Sequence, residues 1–292
     1  MFKTPLLIEQ HFHGCYGVNF NTATVDEICA LAVDIKKEGI GFIFPTLVTD
    51  SVENIKRAID NIKKASFKQT SDMACICGIH LEGIFLNPAK KGIHNDKYFL
   101  IPSLENYKLI EDDFIKIVTI APEFVTDELF DYLKNKGVKI QAGHCVGDDL
   151  SKCSGVTHTF NAMEGVTHKK SSTATSALIN DSLYTEIIAD GIHVKDDALK
   201  LLLKCKPISK IILVSDCLPC THSNLSEFEF STEKIYFDGE KATSKQGVLA
   251  GSTKLLPDII KIMIHKNLFL PEFVYNSYKY HGINPVGELV WE

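Results

Sequence analysis

The sequence contains no uninterrupted apolar run near the ~20 residues that a membrane-crossing helix requires, so no such helix is expected. It also lacks an export signal. The opening MFKTPLLIEQHFHG has too short an apolar stretch, and Glu9 and His11 follow it directly. A cytoplasmic location is therefore expected, with the nine cysteines held as thiols. There is no surplus of positive charge. A formal net charge of −6 argues against a nucleic-acid surface, although a small anionic substrate remains compatible because the local charge of a pocket outweighs the total. No internal repeat, low-complexity tract or linker divides the chain. A length of 292 residues suits a single α/β barrel over residues 1–292. No Gly-rich turn follows the first strand candidate, which disfavours the doubly wound open sheet.

What is present is one recurring unit: a short apolar run, then a polar residue, then a stretch of helical period. Strand candidates fall at 6–14, 41–48, 75–83, 115–123, 139–145, 155–163, 184–194 and 210–217. Helical patterns lie between several of them. Thr24–Gly39 opens on a Thr cap with Glu27 three positions on, Ser51–Lys64 on a Ser cap, and Thr126–Gly137 stops at a glycine. Asp196–Cys205 is a short amphipathic run. Eight strands with intervening helices predict a (β/α)₈ barrel. Residues 218–253 break the rhythm and read as short antiparallel strands with a turn at Asp238-Gly239, an insertion after strand eight. Apolar helices at Leu255–His265 and Pro271–Tyr280 follow. The close pairs Cys75/Cys77 and Cys217/Cys220 admit a four-thiolate zinc site. They read better as small hydrophobes, since each pair lies in or beside an apolar run.

The polar residues gather at one end of the predicted strands. His11 and His13 end strand one, Glu82 strand three, His144 strand five, His158 strand six, His193 strand seven and Asp216 strand eight. A barrel brings all these ends to one face. A lone histidine at a strand end is an ordinary structural residue, whereas this joint pattern is what a hydrolytic metal site requires. On that reading Glu82, His144 and His158 hold a divalent metal, Asp216 carries the proton, and His193 polarises the substrate carbonyl. His11 and His13, at i and i+2, share a side of their strand. A second metal and a supporting structural role both remain open for them.

Longer strings surround these residues. Gly78-Ile-His-Leu-Glu-Gly83 with Lys90-Lys-Gly-Ile-His94, Val118-Thr-Ile-Ala-Pro-Glu123, Ala142-Gly-His144, Thr157-His-x-Phe-Asn-Ala-Met163, Ile188-Ala-Asp-Gly-Ile-His-Val194, Leu213-Val-Ser-Asp216 and Leu249-Ala-Gly-Ser252 occur in this order. Together they resemble the N-acetylglucosamine-6-phosphate deacetylase family of metal-dependent amidohydrolases, over roughly residues 6–265. The resemblance implies metal ligands at Glu82, His144 and His158, and Asp216 as acid/base. It implies substrate contacts at Ile93, His94, Asn161, Ala162, His193, Leu249, Ala250 and Gly251. It also implies zinc (Fe, Mn or Co as alternatives), one or two ions per chain, an amino sugar phosphate substrate and a homodimer. Lys169 stands where the family places a phosphate-binding Arg from the neighbouring subunit, though His168-Lys-Lys170 reads equally as solvated surface. Two positions depart from the family pattern: Ile84 replaces a proline, and residues 164–170 hold no arginine. The family's small β-sandwich is expected to be absent or vestigial. Rival readings are an amidohydrolase of another substrate and a non-catalytic sugar-phosphate-binding relative.

Overall fold

The structure is a computed structural model that describes residues 1–291. Eight parallel strands form its centre: β1 (Leu7–Phe12), β2 (Ile40–Val48), β3 (Ile79–Glu82), β4 (Ile115–Ile120), β5 (Lys139–Ala142), β6 (Gly155–Val156), β7 (Tyr184–Ile187) and β8 (Ile211–Leu213). Each pairs with its sequence neighbours in unbroken order from β1 to β8. Past the end of β8 the seam to β1 is bridged by Asp216 N donating to His11 O (2.8 Å) and His13 N donating to Cys217 O (2.9 Å). The sheet thus curls into the (β/α)₈ barrel that the eight apolar runs predict.

The helices are α1 (Val25–Lys37), α2 (Val52–Phe67), α3 (Leu104–Lys108), α4 (Asp127–Asn135), α5 (Thr173–Ile179), α6 (Asp196–Cys205), α7 (Leu256–His265) and α8 (Glu272–His281). The caps legible in sequence are both present: Thr24 Oγ1 accepts from Glu27 N and Glu27 Oε2 from Thr24 N at 2.8 Å, and Ser51 Oγ accepts from Asn54 N at 3.2 Å. α3 and α5 are too short to leave a periodic signal, and sequence reading misses both. The strand–helix alternation also fails once. Among the described residues no helix separates β5 from β6, where the loop Cys145–Ser154 is rich in Gly, Asp and Ser.

Strand period decides which side chains enter the barrel. On β3, His80 and Glu82 lie on one face and Ile79 and Leu81 on the other. Ile79 and Leu81 join the main apolar core, while His80 bonds inside the barrel to Thr119 Oγ1 (2.7 Å) and Gln10 O (3.0 Å). Burial takes the His80 pKa down to about 3, so the ring is neutral.

Between β8 and α7 lies an antiparallel meander of β9 (Glu227–Phe230), β10 (Glu233–Phe237) and β11 (Ala242–Ser244). Asp238 Oδ1 closes its second turn by accepting from Glu240 N and Lys241 N. The first turn, Ser231-Thr232, has φ of 50° and 61°, the geometry of a tight hairpin turn usually given to Gly or Asn. A small apolar cluster of Leu218, Phe230, Ile235 and Ala242 joins the meander to Val48 and Ile93 on the barrel. A separate ribbon pairs Phe2–Thr4 with Leu289–Trp291, tied by Trp291 Nε1 donating to Thr4 Oγ1 at 2.8 Å. Among the described residues no helix is long and apolar enough to cross a membrane.

Candidate active site

The carboxyl ends of the strands open on a cavity of about 210 Å³ whose wall includes His13, Glu82, His94, His144, His158 and His193, with Asp216 at its base. Most of these residues stand where regular strand has just ended. Glu82 is the last residue of β3, while His144 and His158 each lie two positions past β5 and β6, and Asp216 lies three past β8. His144, His158 and Asp216 take φ of 48°, 29° and 53°, a left-handed conformation that costs ~1–2 kcal/mol for an ordinary residue. Close packing enforces it at His144. A Cβ on the preceding Gly143 would come within 2.7 Å of Thr119 Cγ2 and 2.8 Å of Thr157 Cβ. Strain of this kind, held in place by the surrounding barrel, is typical of residues aimed for chemistry.

Glu82 sits at the centre. Its Oε1 lies 2.9 Å from His158 Nε2 and 3.3 Å from His144 Nε2, and those two nitrogens are 3.0 Å apart. Its Oε2 lies 3.0 Å from His13 Nε2 and 3.3 Å from His11 Nε2. Asp216 Oδ1 is 3.4 Å from His11 Nε2 and 3.3 Å from His13 Nε2. Burial alone would push the Glu82 carboxyl up. The charge of His11 and the close approach of His13 and His144 outweigh it and hold the group well below the usual carboxylate range.

This donor set fits a divalent cation. Metal–nitrogen and metal–oxygen bonds of ~2.0–2.2 Å place neighbouring donors of a tetrahedral ion ~3.3 Å apart, close to the Glu82–His144–His158 triangle. Glu82 Oε1 is buried and makes no hydrogen bond despite its two imidazole neighbours, because all three groups face a common point. His144 Nδ1 is bonded to Lys90 O at 2.9 Å, so it carries the proton and Nε2 keeps its lone pair. His11 is oriented in the same way, and although burial lowers its pKa, the charges of Glu82, Asp216 and Glu186 outweigh this and hold it well above the usual value. Its Nδ1 is bonded to Glu186 Oε2 (2.9 Å), whose Oε1 accepts from Gln10 Nε2 (2.6 Å), and its buried Nε2 has no hydrogen-bond partner. His11, His13, Glu82 and Asp216 form one group of potential ligands, and Glu82, His94 and His144 another. Among the described residues no such group includes a cysteine. The four-thiolate alternative therefore has no support among them.

The remaining site candidates fall around this centre. His193 Nδ1 is 2.7 Å from Asp190 Oδ2, and its Nε2 is buried without a partner. Burial lowers the His193 pKa, but the hydrogen bond and charge of Asp190 outweigh it, so the pKa is raised. His94 Nδ1 is 2.8 Å from Thr49 Oγ1. Ile93, Asn161, Ala162, Leu249 and Ala250 all line the cavity. Gly251 does not line it. It packs beneath, where a Cβ would come within 2.4 Å of Asp216 O. Lys169 is exposed on the 164–171 loop and outside the cavity wall, beside a Lys170–Glu164 ion pair. Sequence reading missed Phe230, Val248 and Gly92 in the wall, and Glu186, Asp190 and Thr49 behind it. Only Asp190, three residues before His193, left a readable signal.

A protein of Bacillus subtilis (strain 168) named N-acetylglucosamine-6-phosphate deacetylase is 31% identical over 261 residues, covering 85% of this chain and 66% of that protein. The chain belongs to the N-acetylglucosamine-6-phosphate deacetylase family. Other relatives of this deacetylase family carry a different sugar in their names. An N-acetylgalactosamine-6-phosphate deacetylase of Escherichia coli O157:H7 is 25% identical over 97% of this chain and 78% of its own length. The crystal structure of the N-acetylglucosamine-6-phosphate deacetylase of Pasteurella multocida superposes with a TM-score of 0.88 at 26% identity, covering 96% of this chain and 77% of that one. The chain thus spans about two thirds to four fifths of the deacetylases it matches. No family model matches it.

Proposed function

We propose that this chain hydrolyses the N-acetyl amide of N-acetylglucosamine 6-phosphate, or of a similar N-acetyl hexosamine phosphate, to acetate and the amino sugar phosphate. The observation that carries the reading is the triangle of Glu82 Oε1, His144 Nε2 and His158 Nε2, which opens into a cavity that also holds Asp216 and His193. Glu82, His144 and His158 would hold a divalent cation, for which zinc suits the imidazole–carboxylate set and Fe, Mn or Co are alternatives. Glu82 Oε2, His11, His13 and Asp216 offer a second set of donors, which supports two ions rather than one. When bound, such a cation supplies Lewis acidity toward a carbonyl oxygen and acidifies a water.

The chain's own residues divide the remaining work. Burial raises the Asp216 pKa, but the His11 charge and the His13 hydrogen bond outweigh it, so Asp216 is ionised and able to act as a base. It takes a proton from the attacking water as the water oxygen bonds to the carbonyl carbon, then passes it to the amide nitrogen as the C–N bond breaks. Asp190 accepts the His193 Nδ1 proton, so His193 Nε2 donates only when the ring is protonated, and its raised pKa favours that form. The imidazolium then stabilises negative charge on the carbonyl oxygen. Asn161 and Ala162 border the sugar. Lys169, exposed and off the cavity wall, would meet the phosphate of a neighbouring copy's substrate in the homodimer that the family resemblance implies. The reaction is assigned to the cytoplasm, where sugar phosphates are held.

Acetate release from N-acetylglucosamine 6-phosphate and N-acetylgalactosamine 6-phosphate tests this reading, with zinc-loaded protein run beside Asp216→Asn and a chelated sample. Release that disappears in both controls is expected, with Asp216→Asn lowering kcat by ~10²–10⁴-fold. Stoichiometric metal binding without release from either sugar would rule the substrate out and leave another amidohydrolase activity or a binding-only protein.

A further inference from the structure

Among the described residues Phe230 is the one aromatic side chain in the cavity wall apart from the histidines, and the proposed chemistry gives it no part. It ends β9, is 3% exposed, and sets its ring edge against the His13 imidazole with centroids 4.8 Å apart. His13 Nε2 in turn lies within 3.3 Å of both Glu82 Oε2 and Asp216 Oδ1. The phenyl ring therefore flanks the reacting centre itself.

Its position is held at some expense. The next two residues, Ser231 and Thr232, both have positive φ, although neither is Gly or Asn. Three hydrogen bonds keep the turn in place. Asn95 N donates to Ser231 Oγ (3.1 Å), Asn95 Nδ2 to Thr232 Oγ1 (2.6 Å), and Ser231 Oγ to Thr49 O (3.0 Å). Thr49 also fixes His94 through its hydroxyl. One residue thus ties the hairpin tip to the cavity wall.

We infer that Phe230 closes the acyl end of the cavity and restricts the enzyme to short acyl groups. The inference rests on the deacylase reading given above. The two substituents of an amide carbonyl carbon leave it in opposed directions. Asn161 and Ala162 follow β6 and border the sugar, with His193 at the carbonyl oxygen between them and the centre. The acyl chain then points across the centre to the His13 side, where Phe230 stands with Ile93 in one apolar cluster. Phe230 is 3% exposed and packed into that cluster, so a longer acyl chain would have to displace the ring. Because a methylene that must be accommodated in such a pocket changes kcat/KM by ~10–200-fold, the ring acts as a length filter.

The test is kcat/KM for the N-acetyl, N-propanoyl and N-butanoyl forms of glucosamine 6-phosphate. The measurement is made on wild type, Phe230→Leu and Phe230→Ala, with bound metal assayed in each. Wild type is expected to lose ~10-fold or more per added methylene. Phe230→Ala should lower the acetyl-to-butanoyl ratio by at least ~10-fold, and Phe230→Leu should shift it less, in the same direction. A purely structural role for the ring would move stability and metal content without moving this ratio. Wild type that turns over the butanoyl compound as well as the acetyl one would overturn the inference. So would a ratio unchanged in a variant that keeps its metal and its acetyl turnover; should Phe230→Ala fail to fold, Phe230→Leu decides. Failure of all three compounds with wild type would sink the deacylase reading and this inference together.

Discussion

The Asp190–His193 pair shows how a single partner can set the chemistry of a side chain. Asp190 keeps the His193 pKa raised against the downward pull of burial. In Asp190→Asn burial persists and the charge is gone, so the imidazolium is lost at lower pH. The expected result is a kcat/KM profile whose alkaline limb moves to lower pH, with a loss of about tenfold or more near neutrality. A limb that stays in place would show that His193 does not act as a protonated donor. Lys206 gives a second case, far from the site. It is buried, and its ammonium donates to Ala177 O and Asn180 O at the end of α5. Burial brings its pKa down to about 8 from the usual 10.5. The unfolded chain therefore holds more protons between pH 8 and 10.5, so this residue makes the fold gain stability as pH rises through that window. Chemical denaturation of wild type and Lys206→Met across the window should show that gain in their difference, since the Met variant lacks it.

Elements set the directions of the side chains that strand ends only bring near. Gly83 and Gly143 adjoin Glu82 and His144, and each lies too close to a neighbouring strand for a side chain. A Cβ at Gly83 would meet Thr49 N at 2.5 Å, and one at Gly143 would meet Thr119 Cγ2 at 2.7 Å. Both obstacles are backbone or β-branched atoms with little freedom to move. Gly143→Ala is expected to cost ~1–3 kcal/mol of stability and to weaken metal binding by ~10–100-fold, because the overpacked loop tilts His144 off the triangle. Thermal melts and metal titration of the apoprotein measure the two effects separately. Unchanged metal affinity in this variant would mean that the loop yields elsewhere and that Gly143 does not position the ligand.

At the scale of the whole molecule, the barrel gathers five imidazoles, those of His11, His13, His94, His144 and His158, around the buried Glu82 carboxylate, and its stability should depend on what they hold. A cation bound only by the native state stabilises it by ~4 kcal/mol at a thousandfold excess over Kd. Chelation should therefore lower Tm, and added zinc should raise it in a concentration-dependent way. The Glu82→Gln variant should lose that response. A Tm indifferent to both treatments would contradict a metal centre.

The sequence by itself determined the eight strands, their order, the insertion after the eighth and most of the cavity's residues. It could do so because apolar runs, caps and strand-end histidines are local signals that survive without neighbours. The same local reading names Lys169 by resemblance as a phosphate contact for a neighbouring copy, and in the single chain it is exposed and off the cavity wall. Other features depended on contacts across the barrel. Glu186 meets His11 from β7, Thr49 joins His94 to Ser231, and Phe230 reaches His13 from the hairpin. No periodicity records such pairings, because each depends on how two distant segments are rotated and spaced. The left-handed turns at His144, His158 and Asp216 are of the same kind. Residue identity alone disfavours them, and only close packing of the surrounding strands makes them the lowest-energy arrangement.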